Sequence, residues 1–473
     1  MVAVADPRER HASRLSSGGD MRDTGVAISV LSRLLSRYGP RDFAIRLWDG
    51  TLVPPDPGLD ACFTLVLNRP SALRRMLLPP SEVALGESYL DGEWEVEGDI
   101  VEAMRLGDAF EALASNPGKY LGLARQVIAL PKETKRDHGV HGAADTEGSA
   151  PHLQGAEHSL ERDRQAVTYH YDVGNDFYRL WLDSRMVYSC AYFPTGDEGL
   201  DEAQEAKLEM ICRKLRLNPG ERFLDIGCGW GGLMMYAAER YGVEAVGITL
   251  SRPQAEEANR RFTEAGLSQR CRALLVDYRD LAAHGPFDKM ASVGMMEHVG
   301  RARLRGYFQA AWRGLAPEGL FLNHGITALG AGGGPVALLN SYLFQRGAVI
   351  RRYVFPDNEV VPVGDTLSIA ERVGFEVRDV EDWREQYALT LRHWVRRLEA
   401  VREEALRQVG ERTYRLWRLY MAGCSHAFTT AHLGVHQSLL LKPGPKGESP
   451  LPRTRADLYS QARPAHDSLD TTR

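Results

Sequence analysis

Cysteine is scarce and scattered. The 473 residues hold six, at 62, 190, 212, 228, 271 and 424, with no CxxC pair and no metal-ligand spacing. That argues against a zinc module or a disulfide framework and fits free thiols in a reducing compartment. Positive charge is not in excess either: the formal net charge is −5, whereas a general nucleic-acid binder carries a basic footprint. No stretch approaches the ~20 apolar residues of a membrane helix. Met1 to Asp20 mixes Asp, Arg, Glu and Ser without an apolar core, so no secretory signal is read there. Four histidines (138, 141, 152 and 158) fall in a Gly- and Ala-rich stretch, where solvated side chains are expected. His432 and His436 stand four apart with no third ligand nearby, so no metal is expected.

What remains is ordinary globular material, 44% hydrophobic and 26% charged, too long for one core. Residues 1–22 read as a disordered N-terminus. Residues 23–131 read as a small α+β domain: a helix over Val26–Tyr38, strands at Phe43–Trp48 and Phe63–Leu67, and helices at Ser71–Leu78, Ser81–Asp91 and Ile100–Leu106. Residues 132–160 lack apolar periodicity and read as a flexible linker. From 161 to 441, strand candidates at Phe223–Ile226, Ala245–Ile248, Ala273–Val276, Lys289–Val293 and Gly319–Asn323 alternate with helical segments. That alternation predicts a parallel, doubly wound α/β sheet. Later strands are expected at Glu376–Val380 and Gln437–Leu441, with helix from His393 to His432 interrupted near Gly410 and Gly423. Residues 442–473 read as a disordered tail.

The chemistry gathers at strand ends, where open α/β sheets bind ligands. The first candidate strand runs through Asp225 into Gly227-Cys228-Gly229-Trp230-Gly231-Gly232. Glycines there let the backbone approach a ligand and adopt positive φ. No Gly-Lys-Ser/Thr follows, which excludes a P-loop, and the spacing does not match a dinucleotide GxGxxG. The second strand ends at Thr249-Leu250-Ser251 with Gln254 a turn later, the third at Asp277-Tyr278-Arg279, the fourth at Glu297-His298, the fifth at His324-Gly325-Ile326. Taken singly, each is a turn residue or a helix cap; their common placement on one rim favours a site.

A strand ending in Asp-x-Gly-x-Gly resembles motif I of class I S-adenosylmethionine-dependent methyltransferases. No Asn/Asp-Pro-Pro-Tyr follows the fourth strand, which disfavours amino methylation of a nucleic-acid base. Tyr169–Tyr178 (YHYDVGNDFY), Tyr188–Phe193 (YSCAYF), GCGWGG, GITLS, MMEHVG and the later Tyr387, Thr390-Leu391 and Trp394 are together similar to the cyclopropane-fatty-acyl-phospholipid synthase family over about 161–440. Glu87–Trp94 resembles the N-terminal domain of the bacterial enzymes. The resemblance implies a class I methyltransferase Rossmann-like sheet preceded by a small α+β domain that presents lipid or membrane. It implies S-adenosylmethionine contacts from Tyr188, Ser189, Gly227, Gly229, Thr249, Leu250, Gln254 and Tyr278, with Asp225, Gly231 and Asp277 in the same loops. It also implies a bicarbonate held by Cys190, Glu297, His324, the Ile326 backbone and Tyr387.

The implied reaction explains why such a site is needed. A cis alkene attacks the sulfonium methyl, leaves a carbocation, and closes a ring when a proton is lost from the new methyl group. The base beside that cation must not capture it, which suits a small hydrogen-bonded anion. Aromatic faces stabilise cations without reacting. The expected partner is a phospholipid bilayer with unsaturated acyl chains, met from the inner face of the cytoplasmic membrane; no nucleic acid is expected, and the oligomeric state stays open, a homodimer included. Proton loss to a methylene branch, later reduced to a methyl branch, needs the same residues and is the main alternative. A small-molecule methyltransferase and a catalytically silent S-adenosylmethionine- or lipid-binding protein are weaker ones.

Two features depart from the family pattern: the long polar linker, and extra length between Ile326 and Tyr353 containing Gly330–Pro335, which bears on the acyl channel. From Arg392 to Arg418, eight arginines face four glutamates, and Arg301, Arg303, Arg305, Arg351 and Arg352 add clusters. These are either solvated helix faces or a docking surface for anionic headgroups, where each charge contributes ~1 kcal/mol.

Overall fold

The computed structural model describes residues 19–36, 38–114, 116–132, 151, 153–171, 173–329 and 347–459. They divide into two compact units. The first runs to Pro151 and also takes in residues up to Pro356 and from Val401 to His426; the second holds the rest. Two stretches that the sequence assigns to the catalytic region therefore group with the N-terminal unit. Most of the expected linker and the Gly330–Pro335 insertion lie outside the described residues.

In the first unit, β1 (Ala44–Arg46), β2 (Leu52–Val53), β3 (Phe63–Leu67) and β4 (Trp94–Gly98) form a sheet in the order β2-β1-β3-β4. β1 and β3 are parallel, and the other two pairings are antiparallel. Phe43 stacks on Phe63 at 4.8 Å in its core. The first helix, Gly19–Leu34, begins inside the stretch read as disordered. Helices Arg105–Ala114 and Pro117–Val127 extend the unit beyond the elements expected.

Two later segments complete this unit through specific bonds. Glu82 accepts from the Gly347 and Val349 amides, and the Tyr353 hydroxyl donates to Glu87 at 2.7 Å. From the helix Arg402–Thr429, buried Arg418 donates to the Tyr89 hydroxyl at 2.9 Å, to Glu95 at 3.0 Å and to the Val96 carbonyl at 3.1 Å. Arg415 pairs with Glu95 and Arg412 with Asp91. Arg402 and Arg407 meet Glu411 and Glu404, and in the second unit Arg397 meets Asp201. Six of the eight arginines in the run are thus paired with carboxylates. An electrostatic headgroup dock does not follow from the run, because a paired guanidinium brings little net charge to a bilayer.

In the second unit, β5 (Arg222–Ile226), β6 (Glu244–Thr249), β7 (Cys271–Leu275), β8 (Phe287–Val293), β9 (Leu315–Ala328), β10 (Glu376–Asp382) and β11 (Leu433–Leu441) form one sheet in the order β10-β11-β9-β8-β5-β6-β7. Strands β5 to β9 pair in parallel, as expected. β11, whose direction the sequence leaves open, runs antiparallel to both β9 and β10. Its register sets Gln437 opposite His324 and Val435 opposite Ile326. Both faces are covered, Phe223 packing in one cluster with Met234 and Phe262, and its neighbour Leu224 in the other with Tyr307 and Phe321. Each such side chain contributes ~1.5–3 kcal/mol by leaving water. Residues 442–459, expected to be disordered, are held by Arg455 on Asp379 at 2.6 Å, Arg216 on Asp457 at 3.0 Å and the buried Leu458.

Candidate active site

Motif I forms as the sequence predicts. Buried Asp225 is the penultimate residue of β5, and Gly227, Gly229 and Gly231 follow the strand with φ of 79°, 51° and 79°. A Cβ on Gly231 would meet the Phe262 ring at 2.5 Å, while one on Gly229 would meet nothing within 4 Å. The backbone at Gly229 is therefore open to a ligand. Trp230 ties the loop to the preceding segment by donating from its indole N–H to Asn175 at 2.8 Å.

No acid follows β6. The Thr249 hydroxyl donates to Gln254 at 2.9 Å, and the Ser251 side chain caps the next helix by accepting from the Gln254 amide. Thr249 and Gln254 are buried, and Leu250 is half-buried. After β7, Asp277 accepts from the Arg279 amide at 2.8 Å, and Tyr278 sets its ring edge-on to Tyr307 at 5.6 Å. Burial raises the Asp277 carboxyl, against the hydrogen bond and charge of Arg279.

Tyr188 sits in an aromatic wall. Its ring lies 5.7 Å from His170, 5.3 Å from Tyr178, 5.5 Å from Trp181 and 5.2 Å from Trp394. Trp230 of the glycine loop joins the same group, 4.9 Å from Tyr178. Next to it, Ser189 accepts from the Lys207 ammonium at 2.8 Å. Lys207 is buried on the helix Leu200–Leu215, and its charge also acts on Asp183, Cys190 and Asp225. Burial lowers Lys207 to about 8 and raises Asp225 to about 7, each opposed by the other's charge.

The remaining candidates gather at the ends of β8 and β9. Glu297 stands on the turn Met296–His298. Its Oε1 accepts from the Ile326 amide at 2.6 Å, while Oε2 is buried with no hydrogen-bond partner. Burial pushes this carboxyl up to about 7, against its backbone hydrogen bonds. The Ile326 N–H is thus committed to Glu297. His324 is buried; its Nδ1 meets the Gln437 amide at 3.0 Å and its ring lies edge-on to Trp383 at 5.4 Å. Burial, then the charges of Lys207 and Lys214, drive it well below the usual histidine range.

Trp383 links the group. Its carbonyl lies 3.8 Å from the Cys190 thiol, which also donates to Ala191 at 3.3 Å, and the same carbonyl accepts from the Tyr387 amide at 3.1 Å. Thr390 fixes the Cys190 segment by accepting from the Ala191 amide at 2.9 Å. Tyr387 packs on Phe428 at 4.8 Å and on Trp394 at 6.0 Å. Burial raises the Cys190 thiol far above its ordinary value, so it stays protonated.

Sequence reasoning missed Lys207, Lys214, Trp383 and Gln437. The two lysines carried a signal, since they fall on the apolar face of their helix among Ala203, Leu208, Ile211 and Leu215. Gln437 carried none, because only the antiparallel register of β11 brings it to His324.

The family described as Mycolic acid cyclopropane synthetase matches residues 158–438. The chain is 40% identical over 416 residues to a "Probable fatty acid methyltransferase" of Pseudomonas putida, covering 88% of this chain and 95% of that protein. It is 36% identical over 371 residues to the cyclopropane-fatty-acyl-phospholipid synthase of Escherichia coli strain K12, covering 78% and 86%. The crystal structure of mycolic acid cyclopropane synthase CmaA1 complexed with SAH and CTAB aligns with a TM-score of 0.55 at 34% identity, over 59% of this chain and 98% of that one. Matched along most of its length and sharing the class I methyltransferase fold, this chain belongs to the mycolic acid cyclopropane synthetase family.

Proposed function

We propose that the protein cyclopropanates cis double bonds in the acyl chains of phospholipids, using S-adenosylmethionine as the one-carbon donor. The observation that carries this reading is Glu297, a buried carboxyl with one oxygen fixed by the Ile326 amide and the other unpartnered, with His324 two residues from Ile326 on β9 and Cys190 tied to His324 through Trp383. S-adenosylmethionine, when bound, supplies an electrophilic methyl group. The open backbone at Gly229, with Gly227 and Gly231, suits its close approach, while Asp225, Thr249, Leu250, Gln254, Asp277 and Tyr278 line the neighbouring strand ends and Tyr188 and Ser189 the facing segment.

Bicarbonate fits the second group of residues and would supply a small proton acceptor. Glu297, His324 and Tyr387 would hold it, whereas the Ile326 N–H is given to Glu297 and the Cys190 thiol to the Ala191 carbonyl. An anion there favours the protonated form of Glu297, which then presents its proton at Oε2. Cys190 stays a thiol, a much weaker nucleophile than its thiolate toward the sulfonium methyl. The rings of Tyr188, Tyr178, Trp181 and Trp394 offer π faces to positive charge and exclude water that would quench it. Among the described residues no helix is long and apolar enough to cross a membrane, so a bilayer substrate is met from its surface.

The alternative exit, proton loss to a methylene or methyl branch, uses the same residues, and the likeness to the probable fatty acid methyltransferase of Pseudomonas putida favours it. Incubation with methyl-deuterated S-adenosylmethionine and vesicles of cis-monounsaturated phospholipid tests the shared core of both readings. Label retained in the acyl chain, with one methyl deuteron lost, is expected. Label that never enters lipid would overturn both.

A further inference from the structure

We propose that Gln437 and Lys214 are positioning residues that fix the tautomer of His324, presenting its Nε2–H to the reaction and turning its lone pair away. The inference deepens the proposed function and rests on it for its catalytic meaning.

The Lys214 ammonium has three donors and no acceptor. It lies 2.7 Å from Gln437 Oε1, pairs with Glu381 and stands 3.8 Å from Asp379. An ammonium therefore requires the oxygen of the Gln437 amide on its side. The amide nitrogen, which only donates, then faces His324 Nδ1 at 3.0 Å. Nδ1 must accept, and the neutral ring carries its hydrogen on Nε2. Turning the amide over would set an NH2 group against an ammonium and leave Nδ1 facing a carbonyl oxygen. Lys214, Gln437 and His324 are each about 1–2% exposed, so water does not relieve either mismatch.

The chain is built for this. Lys214 also lies over the Trp383 ring at 5.5 Å, and the same ring holds His324 edge-on. Gln437 is set by β-sheet register, directly opposite His324. All of these groups belong to one compact unit.

The chemical consequence follows. An Nε2–H can donate to an anion. The other tautomer would aim a basic lone pair at the same place, repelling the anion and exposing a nitrogen nucleophile to a carbocation or a methyl sulfonium. Fixing Nδ1 as the acceptor makes His324 a donor that is not alkylated.

Two-dimensional NMR of the 15N-histidine-labelled full chain, with His324 assigned by its absence in His324→Gln, reads the tautomer directly. Nδ1 unprotonated and Nε2 protonated at neutral pH is expected; a protonated Nδ1 in the wild type overturns the proposal. Gln437→Glu offers only acceptors to both neighbours and should move the proton to Nδ1. Turnover on cis-monounsaturated vesicles should then fall about a hundredfold, with S-adenosylmethionine affinity changed less than about threefold. Lys214→Met frees the amide to rotate, should produce a mixture of tautomers, and should cost about tenfold in kcat. A moved proton with unchanged turnover would overturn the catalytic role. Absence of product from the wild type would instead overturn the proposed function, leaving the tautomer measurement to stand by itself.

Discussion

Replacing Glu297 by glutamine separates the stability of one buried carboxyl from its chemistry. Burial lifts the group from 4.5 to about 7 in the folded protein. A raised carboxyl holds its proton more tightly in the native state than in the unfolded chain. Between ~4.5 and ~7 the native state therefore binds more protons, and the carboxyl lowers stability progressively as pH rises through that window. At about 1.4 kcal/mol per unit, the full effect above pH ~7 is about 3 kcal/mol. Glutamine keeps an acceptor for the Ile326 amide and cannot ionise. Its buried NH2 replaces an oxygen that already lacks a hydrogen-bond partner in the wild type. Glu297→Gln should therefore be more favourable relative to wild type at about pH 8 than at about pH 5, by ~2–3 kcal/mol. Asp225 and the other shifted groups are common to both proteins and cancel in the difference. Urea unfolding followed by tryptophan fluorescence at the two pH values measures it, and turnover on vesicles should meanwhile fall about a hundredfold or more. A stability difference that is flat with pH, or that grows toward acid, would refute the reasoning.

The glycine loop predicts a contrast: Gly231→Ala meets Phe262 and should cost ~2 kcal/mol or more in stability, whereas Gly229→Ala should cost ~1 kcal/mol yet weaken S-adenosylmethionine binding at least about tenfold. Calorimetry with cofactor that shows equal losses of affinity would contradict the assignment. Native labelling with iodoacetamide should modify Cys62, which is exposed, and spare Cys190, which is buried with its thiol held protonated; peptide mass spectrometry distinguishes the two. Arg418→Met takes the guanidinium donor from the buried Tyr89 hydroxyl, leaves Glu95 to Arg415 alone and should destabilise the first unit by ~1–3 kcal/mol, while Arg407→Ala on the exposed face should stay within ~0.5 kcal/mol. Similar melting shifts for the two would mean the arginine run is not structural.

Local signals in the chain were the legible ones. The strand Phe223–Ile226 and the glycines after it were readable because apolar alternation and positive-φ positions lie within a few residues of each other. β4 was equally readable, with Trp94 and Val96 turned inward and Glu95 and Glu97 outward, but it went unread beside the motif it overlaps. The helix Pro117–Val127 also carries a local signal that went unread, Asn116 as cap and proline at its first position. Other features depend on distant partners and had no local signature. The direction of β11 is one, and the seat of Gln437 against His324, 113 residues away, is another. The arginine run was an incomplete signal, since its charge is visible in sequence while Asp91 and Glu95, the carboxylate partners of Arg412, Arg415 and Arg418, lie more than 300 residues earlier. Trp383, which touches both the Cys190 thiol and the His324 ring, looks like any core tryptophan until the strands are paired.

The most direct test of the central claim is the structure of the product. Purified protein, S-adenosylmethionine and vesicles of cis-monounsaturated phospholipid are incubated, and the released acyl chains are examined by mass spectrometry and proton NMR. A gain of one CH2 with upfield ring-proton signals is the predicted result. The same mass with vinylidene protons would contradict cyclopropanation and assign the branching reaction to the same site.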